Sequence, residues 1–128
     1  MEYVKNFGDL HVYKLSRDIS KIIFETSKTF PREETYSLTD QIRRSSRSVG
    51  AQIAESWAKR KYERHFISKL TDADGEQMET QHWLEVARDC SYISPDLAQD
   101  LLDQCRHVGK MLNSMIAKSA VFCQTVRR

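Results

Sequence analysis

Seven cations fall within residues 41–65: Arg43, Arg44, Arg47, Lys59, Arg60, Lys61 and Arg64. The stretch holds two acids, Glu55 and Glu63, so it carries +5 while the rest of the chain sums to −3. Clustered cations are what phosphate recognition needs, and arginine pairs bidentately with phosphate oxygens. On a helix, Arg43 and Arg47 share a face and Arg44 lies beside Arg47. Lys59, Arg60, Lys61 and Arg64 extend the charge past the helix end. Trp57, Tyr62 and Phe66 add rings on which bases can stack. These seven cations are the candidate nucleic-acid-binding residues, for RNA or DNA. A structural role competes with that one. Residues 72–103 hold nine acids and one base, Arg88, so the arginines have partners at hand, and the rings can equally be core.

Other chemistries find less support. Glu79 and His82 form a Glu-x-x-His, a spacing that di-iron bundles use twice together with two further glutamates. The other histidines (His11, His65 and His107) do not follow a Glu by three, so His82 reads as a surface residue and no metal is expected. Glu55 and Glu76 sit near small residues on packed faces. Two such carboxylates could do acid–base work, but pairing with Arg43, Arg47 or a hydroxyl is the simpler reading. The four glycines are isolated, so no phosphate loop exists, and no Ser or Cys has a base in a nucleophile pattern. No catalytic residue and no cofactor is assigned, and the chain is read as non-enzymatic.

These side chains must be positioned by helices. The 128 residues are 40% hydrophobic and 30% charged, with two Pro and four Gly, the balance of an all-α protein forming one domain over residues 1–128. Helices are expected over about 10–30, 38–58, 62–91 and 95–126. Asp9 caps the first, whose stripe is Val12, Leu15, Ile19, Ile22 and Thr26, widened by Tyr13, Ile23 and Phe30. Pro31 ends it. Ser37 and Asp40 read as a capping box for the second, whose apolar positions are Leu38, Ile42, Val49, Ile53 and Trp57. Gly50 in its middle suggests close approach of another helix.

No Gly or Pro marks a turn at Lys59–Arg60–Lys61. A tight turn is preferred there over one continuous helix, because folding back buries both stripes. The third stripe is Phe66, Leu70, Ala73, Gln77, Thr80, Leu84 and Ala87, with a polar middle that predicts a hydrogen-bonded core layer. Gly75 suggests a second close contact. Ser94 and Pro95 start the fourth helix. Its seam runs through Leu97, Leu101, Cys105, Val108, Leu112, Met115, Ser119, Phe122 and Val126. Four long helices with short links predict an antiparallel up-down-up-down four-helix bundle.

The longest apolar run, residues 120–123, is too short to span a membrane. The N-terminus lacks the form of a signal peptide. Cys90, Cys105 and Cys123 fit neither a zinc nor a disulfide pattern and read as reduced, mostly packed thiols in a cytoplasmic protein.

Several linked motifs carry a family resemblance. They are Phe7-x-Asp9-Leu10-x-Val12-Tyr13, then Phe30-Pro31-x-Glu33-Glu34-x-Tyr36-x-Leu38-Thr39-x-Gln41-Ile42-Arg43-Arg44-Ser45-Ser46, then Ile53-Ala54-Glu55, then Trp83-Leu84-Glu85-x-Ala87. In this order they resemble the bacterial 23S rRNA-intervening-sequence protein family, over roughly residues 7–120. Ser56 departs from the Gly that the family usually carries there. The resemblance implies a four-helix bundle assembled into a homopentamer. The fold is similar to that of the accessory protein of diversity-generating retroelements, a basic pentamer that binds nucleic acid and a reverse transcriptase. RNA binding is the expectation that follows. The alternative is a structural scaffold or adaptor that recruits a protein partner and uses its charges for subunit assembly.

Overall fold

The computed structural model describes residues 4–127. Among these there is no strand, and the elements are α1 (His11–Ser27), α2 (Leu38–Ala58), α3 (Glu63–Asp89), α4 (Pro95–Ala117) and α5 (Ser119–Arg127). Short 3-10 turns occupy Phe7–Asp9 and Arg32–Glu34. Each long helix packs on its chain neighbour, and α1 also packs on α4, closing a square of four.

Cross-helix contacts fix the directions. Gly50 of α2 faces Ser16 of α1, while Arg43 reaches Ser27. Glu55 of α2 pairs with Lys69 of α3, while Ser45 meets Thr80. Gln77 of α3 lies against Gly109 of α4, and Glu63 accepts from Ser119 beyond the α4 end. Each pairing runs in opposite directions along the two chains, so the packed neighbours are antiparallel. The all-α four-helix bundle is the fold that the periodicity predicted.

The third stripe is buried as expected, from Phe66 to Ala87. Its polar middle is satisfied. The Thr80 hydroxyl lies 2.9 Å from Ser45 Oγ, and Ser45 donates in turn to the Ile42 carbonyl. Gln77 is 4% exposed; its amide donates to Asp74 at 2.9 Å and its oxygen accepts from Gln81 at 2.7 Å. Hydroxyls and amides paired in this way avoid the cost of burying an unmatched polar group.

Several sequence expectations are corrected. The α1 seam runs through Val12, Ser16, Ile19, Ile23 and Ser27, with Ile22 left 37% exposed. Serine fits the seam because Ser16 and Ser27 donate to carbonyls one turn back. α1 stops at Ser27; the amides of Lys28, Thr29 and Phe30 bond three residues back, a tightened last turn before Pro31. Asp9 lies in the preceding 3-10 turn, and Leu10 starts α1 without a side-chain cap. The expected capping box is absent: Ser37, at ψ −107°, makes no cap bond. Ser94 does cap α4, accepting from the Leu97 amide at 3.1 Å.

The tight turn between α2 and α3 forms, with Tyr62 N–H bonded to the Lys59 carbonyl at 2.8 Å. Lys59 takes φ −95° and ψ 6°, a conformation open to non-glycine residues, so the turn needed no glycine. The fourth helix is broken at Lys118 (φ −106°, ψ 21°) into α4 and α5. The break folds Phe122 onto Phe66 and Trp57, with ring centroids 5.9 Å and 6.3 Å apart. Leu97 is only half-buried, with Ala98 and Leu102 sharing the α4 core, and the Val126 side chain lies outside the described residues.

Gly50 does mark a close approach, since a Cβ there would lie 3.3 Å from Ser16 Oγ. Gly75 does not: it is exposed, with nothing near its Cβ position. The closer contact is at Gly109, where a Cβ would lie 2.7 Å from Gln77 Nε2.

An exposed clasp also holds α2 to α3. Arg44 pairs with Glu76 at 3.2 Å and with Glu79, and Glu79 accepts the Trp83 indole N–H at 3.0 Å. The indole hydrogen bond, followed by Arg44, holds the Glu79 carboxyl below its ordinary 4.5.

Two consequences are measurable. Ser91 closes α3 at φ 61°, with Tyr92 N–H bonded to the Ala87 carbonyl, the helix-ending geometry that glycine prefers. Ser91→Gly is therefore expected to stabilise by about 1 kcal/mol, and Gly75→Ala by about 0.5–1 kcal/mol; denaturant midpoints check both signs. The Glu79 contribution is present above pH 4.5 and is lost as pH falls through its depressed folded value. Trp83→Phe should thus lose less stability than wild type between neutral and acidic pH, and parallel curves would count against the clasp.

Candidate nucleic-acid interface

The seven candidate cations do not form one surface. α2, the turn after it and the start of α3 put them in three places. Arg43 and Arg47, one turn apart, face α1 and converge on Phe24, with guanidinium carbons 4.8 Å and 5.2 Å from the ring centroid. Arg43 also donates from Nε to Ser27 Oγ at 2.7 Å. Lys28 reaches the same ring at 4.8 Å while pairing with Glu25. Arg44 faces α3 and is engaged by Glu76 and Glu79; the Glu79 hydrogen bond raises its pKa further above its ordinary value. The acidic block therefore does neutralise one helix-2 arginine, within the chain.

The third place is the end of the bundle where α2 turns into α3. Lys59, Lys61 and Arg64 are exposed there, and among the described residues none makes a salt bridge. Arg60 is half-buried. Its guanidinium lies 3.7 Å from the Trp57 ring centroid, and its Nε donates to the Trp57 carbonyl at 2.9 Å. Burial there pulls its pKa below the ordinary arginine value.

The three aromatics separate in the same way. Phe66 is core, Trp57 is covered by Arg60 and Phe122, and Tyr62 is 60% exposed. Beside Tyr62 opens a groove of about 500 Å³ that includes Lys61, Arg64, His65 and Ile67. Glu63 is the acid in the groove, and its carboxylate accepts from Ser119 at 2.7 Å. That bond also brings Lys118, exposed at the α4 break, to this pole. Lys118 and His65 were not singled out from sequence. The length of α4 was the available signal, because an antiparallel α4 must end beside the start of α3.

Antiparallel packing gives the bundle opposite ends of opposite charge. The α2–α3 turn and the α4 end are basic. The other pole gathers Glu25, Glu33, Glu34 and Asp40 with Glu85, Asp89, Asp96, Asp100 and Asp103, against Lys28, Arg32, Arg43, Arg88 and Arg106, so it is acidic on balance. The basic pole attracts a polyanion and the acidic pole repels it.

The alternative chemistries are occupied by structure. Glu55 pairs with Lys69 at 2.7 Å and Glu76 with Arg44, in place of the expected Arg43 or Arg47. His82 is exposed and packs edge-on against Trp83 at 4.7 Å. Among the described residues no three His, Cys, Asp or Glu side chains converge as a metal site would require. Cys105 and Cys123 are buried, Cys90 is exposed, and burial pushes the Cys105 thiol up to about 12. No helix among the described residues is long and apolar enough to cross a membrane.

Residues 8–114 match the family described as 23S rRNA-intervening sequence protein. Among solved structures, the chain is similar to a protein with unknown function from the S23 ribosomal protein family of Bacteroides thetaiotaomicron VPI-5482. The TM-score is 0.74 at 29% identity, covering 82% of this chain and 97% of that one. No curated protein matches the sequence. With the quoted motifs, the helical bundle and a match across most of its length in agreement, the chain belongs to the 23S rRNA-intervening sequence protein family.

Proposed function

We propose that this protein is a non-enzymatic, homo-oligomeric nucleic-acid-binding protein of the cytoplasm that holds RNA at the basic pole of its bundle. The observation that carries this reading is the contrast within one stretch. Arg44 is matched to two acids, whereas Lys59, Lys61 and Arg64 stand exposed around an exposed tyrosine. Keeping like charges together costs stability through repulsion, and a phosphate backbone relieves it. Contacts of this kind read charge and backbone, so recognition is tolerant of sequence.

Fluorescence anisotropy on a structured RNA tests it. Changing Lys59, Lys61 and Arg64 to Glu should abolish tight binding. The plot of log affinity against log salt should flatten by about 0.7–0.9 for each phosphate that the variant no longer neutralises. Arg44→Gln should leave binding near wild type. An unchanged affinity in the triple variant would sink the assignment.

A second reading is a pentameric scaffold that recruits a protein partner. It draws on a groove of about 330 Å³ between α1 and α2, where Phe7, Tyr13 and Arg17 face Arg47, Gly50 and Ala54. Small residues there would let a neighbouring helix approach closely. Light scattering after size exclusion separates the two readings. If the groove is the subunit interface, Ala51→Arg, at its exposed rim, should yield monomers that keep their helical circular dichroism. If the pole charges serve only assembly, the triple pole variant would change mass; under the RNA reading it keeps the wild-type mass.

A further inference from the structure

We infer that the basic pole holds an unpaired nucleobase against Tyr62, with the flanking phosphates on Lys61 and Arg64. The inference rests on the reading of this pole as a nucleic-acid surface and narrows its ligand to single-stranded nucleic acid.

Tyr62 is the residue just before α3, in extended conformation at φ −124° and ψ 96°. It is 60% exposed, a large ring that the fold does not cover. His65 follows one turn later, with ring centroids 5.6 Å apart and planes inclined at 42°. At this separation the two rings touch, so the face left for a base is the outer face of Tyr62 rather than the space between them. The groove beside them, about 500 Å³, is open to solvent and lined by residues 61–65 and Ile67, so a base lying on Tyr62 would keep its outer side in water.

The surroundings suit a nucleotide. Lys61 and Arg64 flank Tyr62 on either side in the chain, and both line the groove. Glu63, the acid among them, is drawn toward α5 by the Ser119 hydroxyl. α3 also begins without a side-chain cap, so the positive end of its dipole adds to the attraction for phosphate. The other rings of the pole are already used: Trp57 carries Arg60 on its face, and Phe66 is fully buried.

A base stacked inside a duplex has no free face to give Tyr62, whereas an unpaired base does. Strand form is therefore the discriminating variable. Fluorescence anisotropy would use a labelled single-stranded oligoadenylate and an RNA duplex of equal length, with Tyr62→Ala and Tyr62→Phe. Tyr62→Ala should weaken single-strand binding by about fivefold or more and leave duplex binding unchanged. Tyr62→Phe should bind both like wild type, because the ring and not the hydroxyl makes the stack. Thermal melts matching wild type are expected for both, since Tyr62 is exposed. Single-strand affinity unaffected by Tyr62→Ala, equal losses on both strand forms, or a loss in Tyr62→Phe would each overturn the subsite while leaving the pole reading in place. Failure of the wild-type protein to bind either RNA would remove the pole reading and the subsite with it.

Discussion

The contact between Ser45 and Thr80 sets how α2 lies on α3, and the placement of the charges follows from it. The two oxygens are 2.9 Å apart in a region closed to water. A slip by one residue would break the hydroxyl contact between the helices, leaving Ser45 and Thr80 to the carbonyls of their own helices, and would turn Arg44 away from Glu76 and Glu79. Apolar side chains tolerate small displacements, whereas the hydroxyl-to-hydroxyl bond across the two helices forms in one register. The core thus takes its cohesion from Phe66, Leu70, Leu84 and their neighbours and its alignment from a few polar atoms.

That alignment converts blocks of sequence into regions of surface. Along the chain, residues 41–65 are basic and 72–103 are acidic. Were α2 and α3 one continuous helix, these blocks would lie end to end. The turn at residues 59–62 instead lays them side by side. The arginine nearest the acids is neutralised, and the cations at the turn are carried to the pole, away from them. One hairpin both discharges part of the basic stretch and isolates the remainder.

The four long helices, their antiparallel order and the whole α3 seam were legible in the sequence, because a stripe of small and apolar residues at 3-4 spacing survives local irregularity. Helix ends were less legible. Ser37 and Asp40 have the residue types of a capping box, yet Ser37 takes ψ −107°, outside the extended backbone of a capping residue, and makes no cap bond. The break at Lys118 left no mark, because the heptad spacing continues through Ser119 and Phe122 on both sides of it. In α1 the hydrophobicity of Ile22 concealed the true seam, which admits two serines because each can bond its own helix. For the site, the charges were legible as a cluster but not as three groups. The division depends on helix faces one or two residues apart and on Phe24, an inconspicuous residue until Arg43, Arg47 and Lys28 gather on it.

The stability of the bundle and the charge of its pole are separable, and this bears on what the pole is for. Arg44, Arg43 and Arg60 each bond or pack against protein groups, so their positive charge has structural work to do. Lys59, Lys61 and Arg64 lie outside such arrangements among the described residues, at the one turn where α2, α3 and α5 meet. The end of the α2 dipole accounts for Lys59, its C-cap residue, whereas the start of the α3 dipole and the repulsion among the three cations both disfavour Arg64 in the first turn of α3. Positive charge at a helix N-terminus, next to an uncovered tyrosine, is poorly suited to folding and well suited to a partner that brings its own negative charge and a flat face.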